Sequence, residues 1–179
     1  MTNRFQNKYR ISSNRLKNWD YGKNGAYFIT ICTRNREHFF GEIVCVDGKN
    51  EMHFNEIGVL ANGFWSAIPN HFPFVALGNF QVMPNHVHGI LIIDKKNVID
   101  DVIDVVVETL QCNLSTENKI KNEQMAKISP KSGTISTIIR SYKSVVTKNA
   151  HYIHADFFWQ ERFHDHIIRD SESFERIQN

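Results

Sequence analysis

The hydrophobic and polar positions of this chain alternate between short apolar runs, which predict strands, and longer periodic segments, which predict helices. Residues 26–33 are rich in β-branched and aromatic side chains and predict a strand, and residues 39–46 predict a second, shorter strand. Apolar residues recur at helical spacing over residues 55–70, with Asn55 as a candidate N-cap, and again from residue 132 or 133 to about residue 149.

The second half of the sequence continues this alternation. Residues 74–83 predict a strand that is antiparallel to its neighbour, and Pro84 separates it from an aliphatic strand that follows. Residues 157–168 are expected to be mostly extended, and Asp170 is expected to cap a last helix over residues 171–179.

These elements predict a single α+β domain over residues 1–179. Strands and helices at this spacing favour a ferredoxin-like antiparallel sheet with helices packed on one face. Residues 47–50 predict a turn. From Asp94 to about Pro130 the pattern lapses into a mixture of acidic, aliphatic and polar residues. Because ordinary connections are far shorter, this segment is expected to be a loop excursion from the core.

Composition narrows the class of protein. The 179 residues include 13 phenylalanines, enough apolar material for one core. Three cysteines show no metal-type spacing, which favours reduced thiols in a cytoplasmic protein. No apolar stretch approaches the roughly 20 residues that a membrane span needs, and the first residues lack the apolar region of a secretory signal. The sequence therefore predicts a cytoplasmic protein with no membrane partner.

Basic and aromatic residues are mixed in the first part of the chain. Residues 1–36 contain eight basic residues against a single acid, Asp20, with six aromatic rings between them. This mixture suits a nucleic acid, since cations pair with phosphates and rings stack on unpaired bases. A solvated basic terminus is the alternative explanation of the charge.

Two histidines one residue apart open the aliphatic strand after Pro84. Side chains at positions i and i+2 of a strand share a face, so His86 and His88 are expected to project together while Val87 points the other way. Gly89 is expected to let another group approach the backbone closely. Two imidazoles on one rigid face are a ready pair of metal ligands; two partly buried histidines bonded to nearby backbone are the alternative.

Six segments of the chain resemble, in order, the REP-associated tyrosine transposases, a group within the HUH endonuclease superfamily. The central segment is Met83-Pro84-Asn85-His86-Val87-His88-Gly89, which carries the His-hydrophobic-His signature. The other segments are Arg15-Leu16 with Trp19-Asp20-Tyr21, Tyr27 to Thr33, Phe40 to Ile43, Ile139 to Ser144, and Trp159 to Asp170. Together they span nearly the whole chain, apart from residues 94–130.

The resemblance implies DNA transposition by cleavage and joining of single-stranded DNA. It implies that His86 and His88 hold a divalent metal, Mg²⁺ or Mn²⁺, which polarises the scissile phosphate. It also implies a tyrosine that attacks the phosphorus and leaves a 5′-phosphotyrosine link and a free 3′-OH. Because imidazoles alone favour zinc or later transition metals, a magnesium site needs at least one oxygen ligand as well.

The family places its tyrosine in a Tyr-Ile-x-x-Asn-Pro-like segment on the helix after Arg169-Asp170, with the asparagine as the implied third ligand. This chain ends at Asn179, about where that tyrosine is expected. The nucleophile is therefore expected just beyond Asn179, in a truncated or decayed gene. Tyr142 is the obvious substitute, although its place in the middle of an apolar helical stripe predicts a core tyrosine. Tyr152 has no partner pattern and ranks lower.

The expected partner is single-stranded or hairpin DNA, bound by a monomer or a homodimer. His166 is expected to contact a phosphate or a metal, or else to bond to backbone. A non-catalytic module that binds single-stranded nucleic acid is the alternative function, and a zinc hydrolase would need a further ligand at suitable spacing. The residues expected to line the DNA track are Arg10, Arg15, Arg34, Arg36, Arg140, Lys143, Arg162 and His166.

Overall fold

The computed structural model describes residues 15–95 and 131–178. The predictions for Arg10 and for most of the excursion at residues 94–130 lie outside the described residues. The strands are β1 (Gly25–Cys32), β2 (Gly41–Val46), β3 (Lys49–Phe54), β4 (Val75–Met83), β5 (His86–Ile93) and β6 (His164–Ile168). The helices are α1 (Glu56–Ser66), α2 (Ile68–His71), α3 (Ile135–Ala150) and α4 (Ser171–Gln178).

A four-stranded antiparallel sheet with the order β4-β5-β1-β6 forms the centre of the fold. Helix α1 follows β1 with the β2–β3 hairpin inserted between them, and α3 lies between β5 and β6 in the chain. Two strand–helix–strand units that interleave in this order make the ferredoxin-like arrangement. The predicted α+β fold, with its antiparallel sheet, is confirmed.

The core lies between one face of the sheet and helices α1 and α3. Alternate residues of β1, including Ile29 and Ile31, are fully buried there, as are Val87 and Leu91 of β5. The apolar stripe predicted for α3 packs against them. Its fully or almost fully buried residues are Ile135, Ile138, Ile139, Tyr142 and Val146. Helices α1 and α3 therefore pack on one face of the sheet, as the periodicity predicted.

The opposite face of the sheet carries the histidines, and we call it the histidine face. Strand register places on it Phe28, Thr30 and Cys32 of β1, His86 and His88 of β5, and His164 and His166 of β6. Cross-strand neighbours in the register share a face, so this set follows from the pairing of β1 with β5 and β6.

The hairpin of β2 and β3 corrects one prediction. The sequence predicted a turn at residues 47–50 and a helix from about residue 55, with no strand between them, but Lys49–Phe54 forms a strand that pairs with β2. Asp47 and Gly48 have φ angles of 50° and 72° and form the two-residue turn by themselves. Positive φ at both central residues matches the twist of the hairpin, which is why the turn closes so tightly.

The ends of the helices follow the capping predictions. The side chain of Asn55 accepts a hydrogen bond from the backbone N–H of Gly58 at 2.9 Å, which caps α1. The helix predicted over residues 55–70 is divided at Ala67 into α1 and the short α2. Asp170 accepts from the backbone N–H of Ser173 at 2.7 Å at the start of α4. Among residues 15–95 and 131–178, no helix has the length and apolar character needed to cross a membrane.

The segment expected to be extended over residues 157–168 is a strand only in part. Strand β6 begins at His164, and before it a single bridge joins Trp159 to Thr33 at the end of β1. Gln160 still donates from its backbone N–H to the carbonyl of Cys32 at 2.9 Å, and residues 161–163 then leave the ladder.

Candidate functional site

His86 and His88 lie side by side on the histidine face, at the start of β5. Their ring centroids are 5.3 Å apart, and the rings are inclined by 39°. The ring of Phe28, on the neighbouring strand β1, lies 5.9 Å from His88. The expectation that both imidazoles project from one face is met, because the strand begins directly after the turn at Pro84 and Asn85.

Both imidazoles favour the neutral form. Partial burial lowers the pKa of His86 below its ordinary value, and the neighbouring His88 and the charge of Arg36 lower it further. Partial burial also lowers the pKa of His88. Since a histidine binds a metal ion through a neutral ring nitrogen, the pair is in the protonation state that a metal site requires.

The Asn85 side chain determines which ring nitrogen of His86 carries the proton. Its Nδ2 donates to the backbone carbonyl of Arg36 at 3.1 Å, which turns Oδ1 towards His86. This oxygen lies 2.8 Å from Nδ1 of His86 and can only accept, so Nδ1 donates. Nε2 of His86 is therefore the nitrogen with the lone pair available to a ligand.

Within the described part of the chain, His86 and His88 are the candidate metal ligands. Residues 15–95 and 131–178 contain no group of three or more His, Cys, Asp or Glu side chains arranged to hold a metal ion. A zinc hydrolase, which needs a third protein ligand, finds no support in this part of the chain. Two neutral imidazoles do fit a metal ion whose other ligands come from elsewhere.

Tyr142 lies in the core, on the other face of the sheet from His86 and His88. Its side chain is 2% exposed, and its hydroxyl donates to the backbone carbonyl of Ala61 at 3.0 Å. Its ring meets the edge of Trp65, and burial raises the pKa of the hydroxyl far above its ordinary value. This placement is that of the core tyrosine which the helical stripe predicts, and it argues against Tyr142 as the nucleophile, because its hydroxyl is buried and hydrogen-bonded away from the histidines.

Arg15, one of the residues expected on the DNA track, binds within the fold. Its Nε forms an ion pair with Asp165 at 3.2 Å, and another guanidinium nitrogen donates to Oγ of Ser136 at 2.7 Å. The guanidinium also lies over the rings of Tyr21 and Phe163. Arg15 therefore joins the N-terminal segment to β6 and α3.

Lys143 is also used inside the fold. Its Nζ donates to the backbone carbonyl of Gln160 at 2.6 Å, and Nε1 of Trp159 donates to the carbonyl of Lys143 at 3.2 Å. Partial burial lowers the pKa of Lys143. These contacts hold the segment that precedes β6 against α3.

The other predicted DNA-track residues that the structure describes are exposed, but they are not all in one place. Arg36 and Arg162 line a cleft of about 870 Å³, and Arg140 lines a second cleft of about 720 Å³. The guanidinium of Arg34 lies over the ring of Phe158 at 5.7 Å. His166 pairs with Phe28 in the sheet register and lines a third cleft with Arg169 and Arg176.

Sequence reasoning did not single out Asn85 or His164 as members of the site. Asn85 belongs to the histidine segment, and its position directly before the first histidine was the available signal. His164 lies opposite Thr30, whose other neighbour in the sheet is His88. Only the register of β6 reveals that relationship, and no local pattern in the sequence encodes it.

Comparisons with known proteins agree with this fold. No protein-family model matches the chain. An uncharacterized protein of Haemophilus influenzae is 36% identical over 171 residues, which cover 92% of this chain and 84% of that protein. The solved structure of a REP-associated tyrosine transposase bound to a REP hairpin has a TM-score of 0.53 at 17% identity, covering 94% of this chain and 68% of the other. The resemblance inferred from the sequence motifs is thus confirmed in fold. The chain belongs to one family with the Haemophilus influenzae protein, and its fold is that of a REP-associated tyrosine transposase.

Proposed function

We propose that the protein binds single-stranded DNA across the histidine face and cleaves and rejoins it, as a transposase of the REP-associated tyrosine type. The observation that carries this proposal is the pair of imidazoles of His86 and His88, whose ring centroids lie 5.3 Å apart on one face. The fold supports it, since the transposase with the same fold was solved bound to a REP hairpin.

His86 and His88 would hold a divalent metal ion, Mg²⁺ or Mn²⁺. When bound, such an ion polarises the scissile phosphate and offsets the charge that develops on its oxygens. Asn85 orients His86 for this role by accepting from Nδ1, which leaves Nε2 for the ion. Since nitrogen ligands alone favour later transition metals, oxygen ligands must complete a site for Mg²⁺ or Mn²⁺.

The reaction would be a transesterification. A tyrosine oxygen forms a bond to phosphorus, the bond from phosphorus to the 3′-oxygen breaks, and the 3′-oxygen gains the proton that the tyrosine loses. The energy of the phosphodiester stays in the 5′-phosphotyrosine link, so a 3′-OH can reverse the step without ATP. The hydroxyls of Tyr21, Tyr27 and Tyr142 are hydrogen-bonded within the fold, so we assign the nucleophile to none of these three.

Metal-dependent DNA binding tests this proposal. Labelled hairpin DNA with a single-stranded flank should bind the wild-type protein more tightly with Mn²⁺ than with EDTA. His86→Ala and His88→Ala should remove that difference, and His71→Ala, a histidine of α2 outside the pair, should keep it. Binding that is indifferent to Mn²⁺ in the wild type would contradict the metal site. Denaturing gels of the same mixtures, with Tyr142→Phe included, report whether a covalent adduct forms and whether it needs Tyr142.

The second candidate function is a non-catalytic module that binds single-stranded nucleic acid on the same sheet. It is favoured by two observations on residues 15–95 and 131–178: no three-ligand cluster occurs there, and three tyrosine hydroxyls are engaged within the fold. This function predicts tight binding that survives both EDTA and His86→Ala. The experiment above therefore separates the two candidates.

A further inference from the structure

The edge of the sheet beside the histidine face contains an irregularity in its pairing. Thr30 pairs with His164, and Thr33 pairs with Trp159. Thr30 and Thr33 are three residues apart, whereas their partners His164 and Trp159 are five residues apart. The segment leading into β6 therefore has two extra residues. Extra residues interrupt a ladder and redirect side chains, and such bulges are frequent beside functional sites.

A cleft of about 870 Å³ lies at this bulge. Thr30 and Cys32 of β1 line one side of it, and the bulge and the start of β6 line the other. Its lining includes Thr30, Cys32, Arg36, Glu161, Arg162 and His164. The cleft is lined from both the histidine face and the edge of the sheet.

The cleft adjoins the histidine pair through β1. Cys32 lies opposite His86 and Thr30 lies opposite His88, while His164 lies opposite Thr30 on the far side. Two strand spacings, about 10 Å, therefore separate the strand of the histidine pair from the strand of His164. A DNA strand that places one phosphate at the histidines and runs across β1 reaches this cleft next.

The charge of the cleft suits a phosphodiester. Arg36 and Arg162 are both exposed, and a guanidinium can donate two parallel hydrogen bonds to phosphate oxygens. Among the carboxylates that line the cleft, Asp165 is paired with Arg15 at 3.2 Å, and Glu161 belongs to the bulge. Two guanidinium groups against one exposed carboxylate leave the cleft basic.

The cleft continues along the outer surface of α3. A second cleft of about 720 Å³ shares Gln160, Glu161 and Phe163 with the first, and it is also lined by Arg140 and Lys148. The contacts of Lys143 with Gln160 and Trp159 hold the boundary between the two clefts in place. A strand longer than one nucleotide thus finds a continuous basic path around the edge of the sheet.

We propose that the cleft at the bulge binds a phosphodiester of single-stranded DNA that neighbours the phosphate at His86 and His88. Arg36, Arg162 and His164 contact this phosphodiester, and the strand continues along α3 towards Arg140 and Lys148. Lys143 and Arg15 shape the path but do not bind the strand. This inference rests on the proposed function, because it assumes that the histidine pair receives a phosphate of the same strand.

The salt dependence of binding to an oligothymidylate tests the cleft. Binding weakens as salt rises, so the slope of log K against log salt is negative, and for single strands each lost phosphate contact reduces its magnitude by about 0.7. Arg36→Gln and Arg162→Gln should each reduce this magnitude by about that amount, and the double variant by about twice as much. Lys49→Gln, which removes the same charge at the exposed tip of the β2–β3 hairpin, should leave the slope at the wild-type value. His164→Ala should weaken binding.

The outcomes separate the cleft from the metal site. If Arg36→Gln and Arg162→Gln both kept the wild-type affinity and slope while binding still depended on Mn²⁺, the proposal for the cleft would be wrong and the metal site would stand. Reduced slopes in these variants, with no effect of Mn²⁺ or of His86→Ala, would overturn the metal site and keep the cleft. An equal loss of slope in Lys49→Gln would show that only overall charge matters and would also overturn the cleft. Thermal unfolding of each variant confirms that it is folded.

Discussion

The indole ring of Trp65 lies against the backbone of Gly89, the residue that follows the second histidine. A methyl group built on Gly89 would lie 3.0 Å from Cζ2 of Trp65 and would overlap with the side chain of Phe80. The sequence predicted that Gly89 admits another group close to the backbone, and in the structure the ring of Trp65 occupies that position. This glycine therefore serves the packing of α1 on the sheet, on the face opposite the histidines.

Substitution of Gly89 should destabilise the protein. Gly89→Ala forces Trp65 or β4 to move, and overpacking of this kind typically costs about 1–3 kcal/mol. Gly63→Ala is the matched control, since a methyl group on Gly63 in α1 meets no atom within 4 Å. It should raise the free energy of unfolding by about 0.5–1 kcal/mol through the helix preference of alanine. Urea unfolding measures both, and equal stability of the two variants would contradict the packing role of Gly89.

The hydroxyl of Tyr142 should matter for stability and not for chemistry. Tyr142→Phe loses the hydrogen bond to the carbonyl of Ala61 and should lower the free energy of unfolding by about 1 kcal/mol. Tyr152→Phe, at a side chain that is 82% exposed, should leave stability unchanged. DNA binding with Mn²⁺ should be the same in both variants as in the wild type. If only Tyr142→Phe lost a covalent adduct with DNA, Tyr142 would be the nucleophile and its role would not be limited to stability.

The parts of the fold that could be predicted from sequence are those with a local signal. The alternation in β1, the stripe on α3 and the caps at Asn55 and Asp170 depend on neighbours within a few residues. The shared face of His86 and His88 follows in the same way from the two-residue repeat of a strand. Strand β3 was missed because it begins with polar residues, although the Asp47-Gly48 pair before it is a strong hairpin signal.

The remaining features depend on contacts between distant parts of the chain. The ion pair of Arg15 with Asp165 joins residues 150 positions apart, and Lys143 binds a carbonyl 17 positions away. A basic residue committed to such a contact looks, in the sequence, like any other basic residue. The bulge before β6 likewise exists only in the register between Thr30–Thr33 and Trp159–His164, which periodicity cannot reveal.

DNA on the histidine face should protect one cysteine from alkylation. Cys32 lies on this face opposite His86 and is partly exposed, whereas Cys45 is exposed on the β2–β3 hairpin. A bound oligonucleotide should slow the reaction of Cys32 with iodoacetamide and leave the rate at Cys45 unchanged. Peptide mass spectrometry measures both rates in one sample. Equal protection of the two thiols, or protection of neither, would place the DNA elsewhere.

The start of α4 should loosen in acid. Hydrogen bonds from the N–H and hydroxyl of Ser173 lower the pKa of Asp170 below its ordinary value. Because the folded pKa lies below the unfolded one, the stabilisation is complete above the ordinary carboxyl pKa and is lost as the pH falls through the folded pKa. In acid, hydrogen exchange at the Ser173 amide should therefore accelerate in the wild type relative to the same amide in the Asp170→Asn variant. The asparagine keeps an acceptor that does not titrate. A constant ratio of the two rates across this range would contradict the contact.

Asn85 should control the affinity of the histidine pair for a metal ion. Asn85→Ala removes the acceptor at Nδ1 of His86, so the proton is no longer held on that nitrogen and Nε2 is less available. Loss of such an orienting partner typically lowers metal affinity about 10–100-fold, which a Mn²⁺ titration followed by electron paramagnetic resonance measures without DNA or turnover. Asn85→Asp keeps an acceptor for His86 and should retain more affinity than Asn85→Ala, while Asn50→Ala on the hairpin should match the wild type. If Asn85→Ala bound Mn²⁺ as tightly as Asn50→Ala, the hydrogen bond to Nδ1 would have no part in preparing the site.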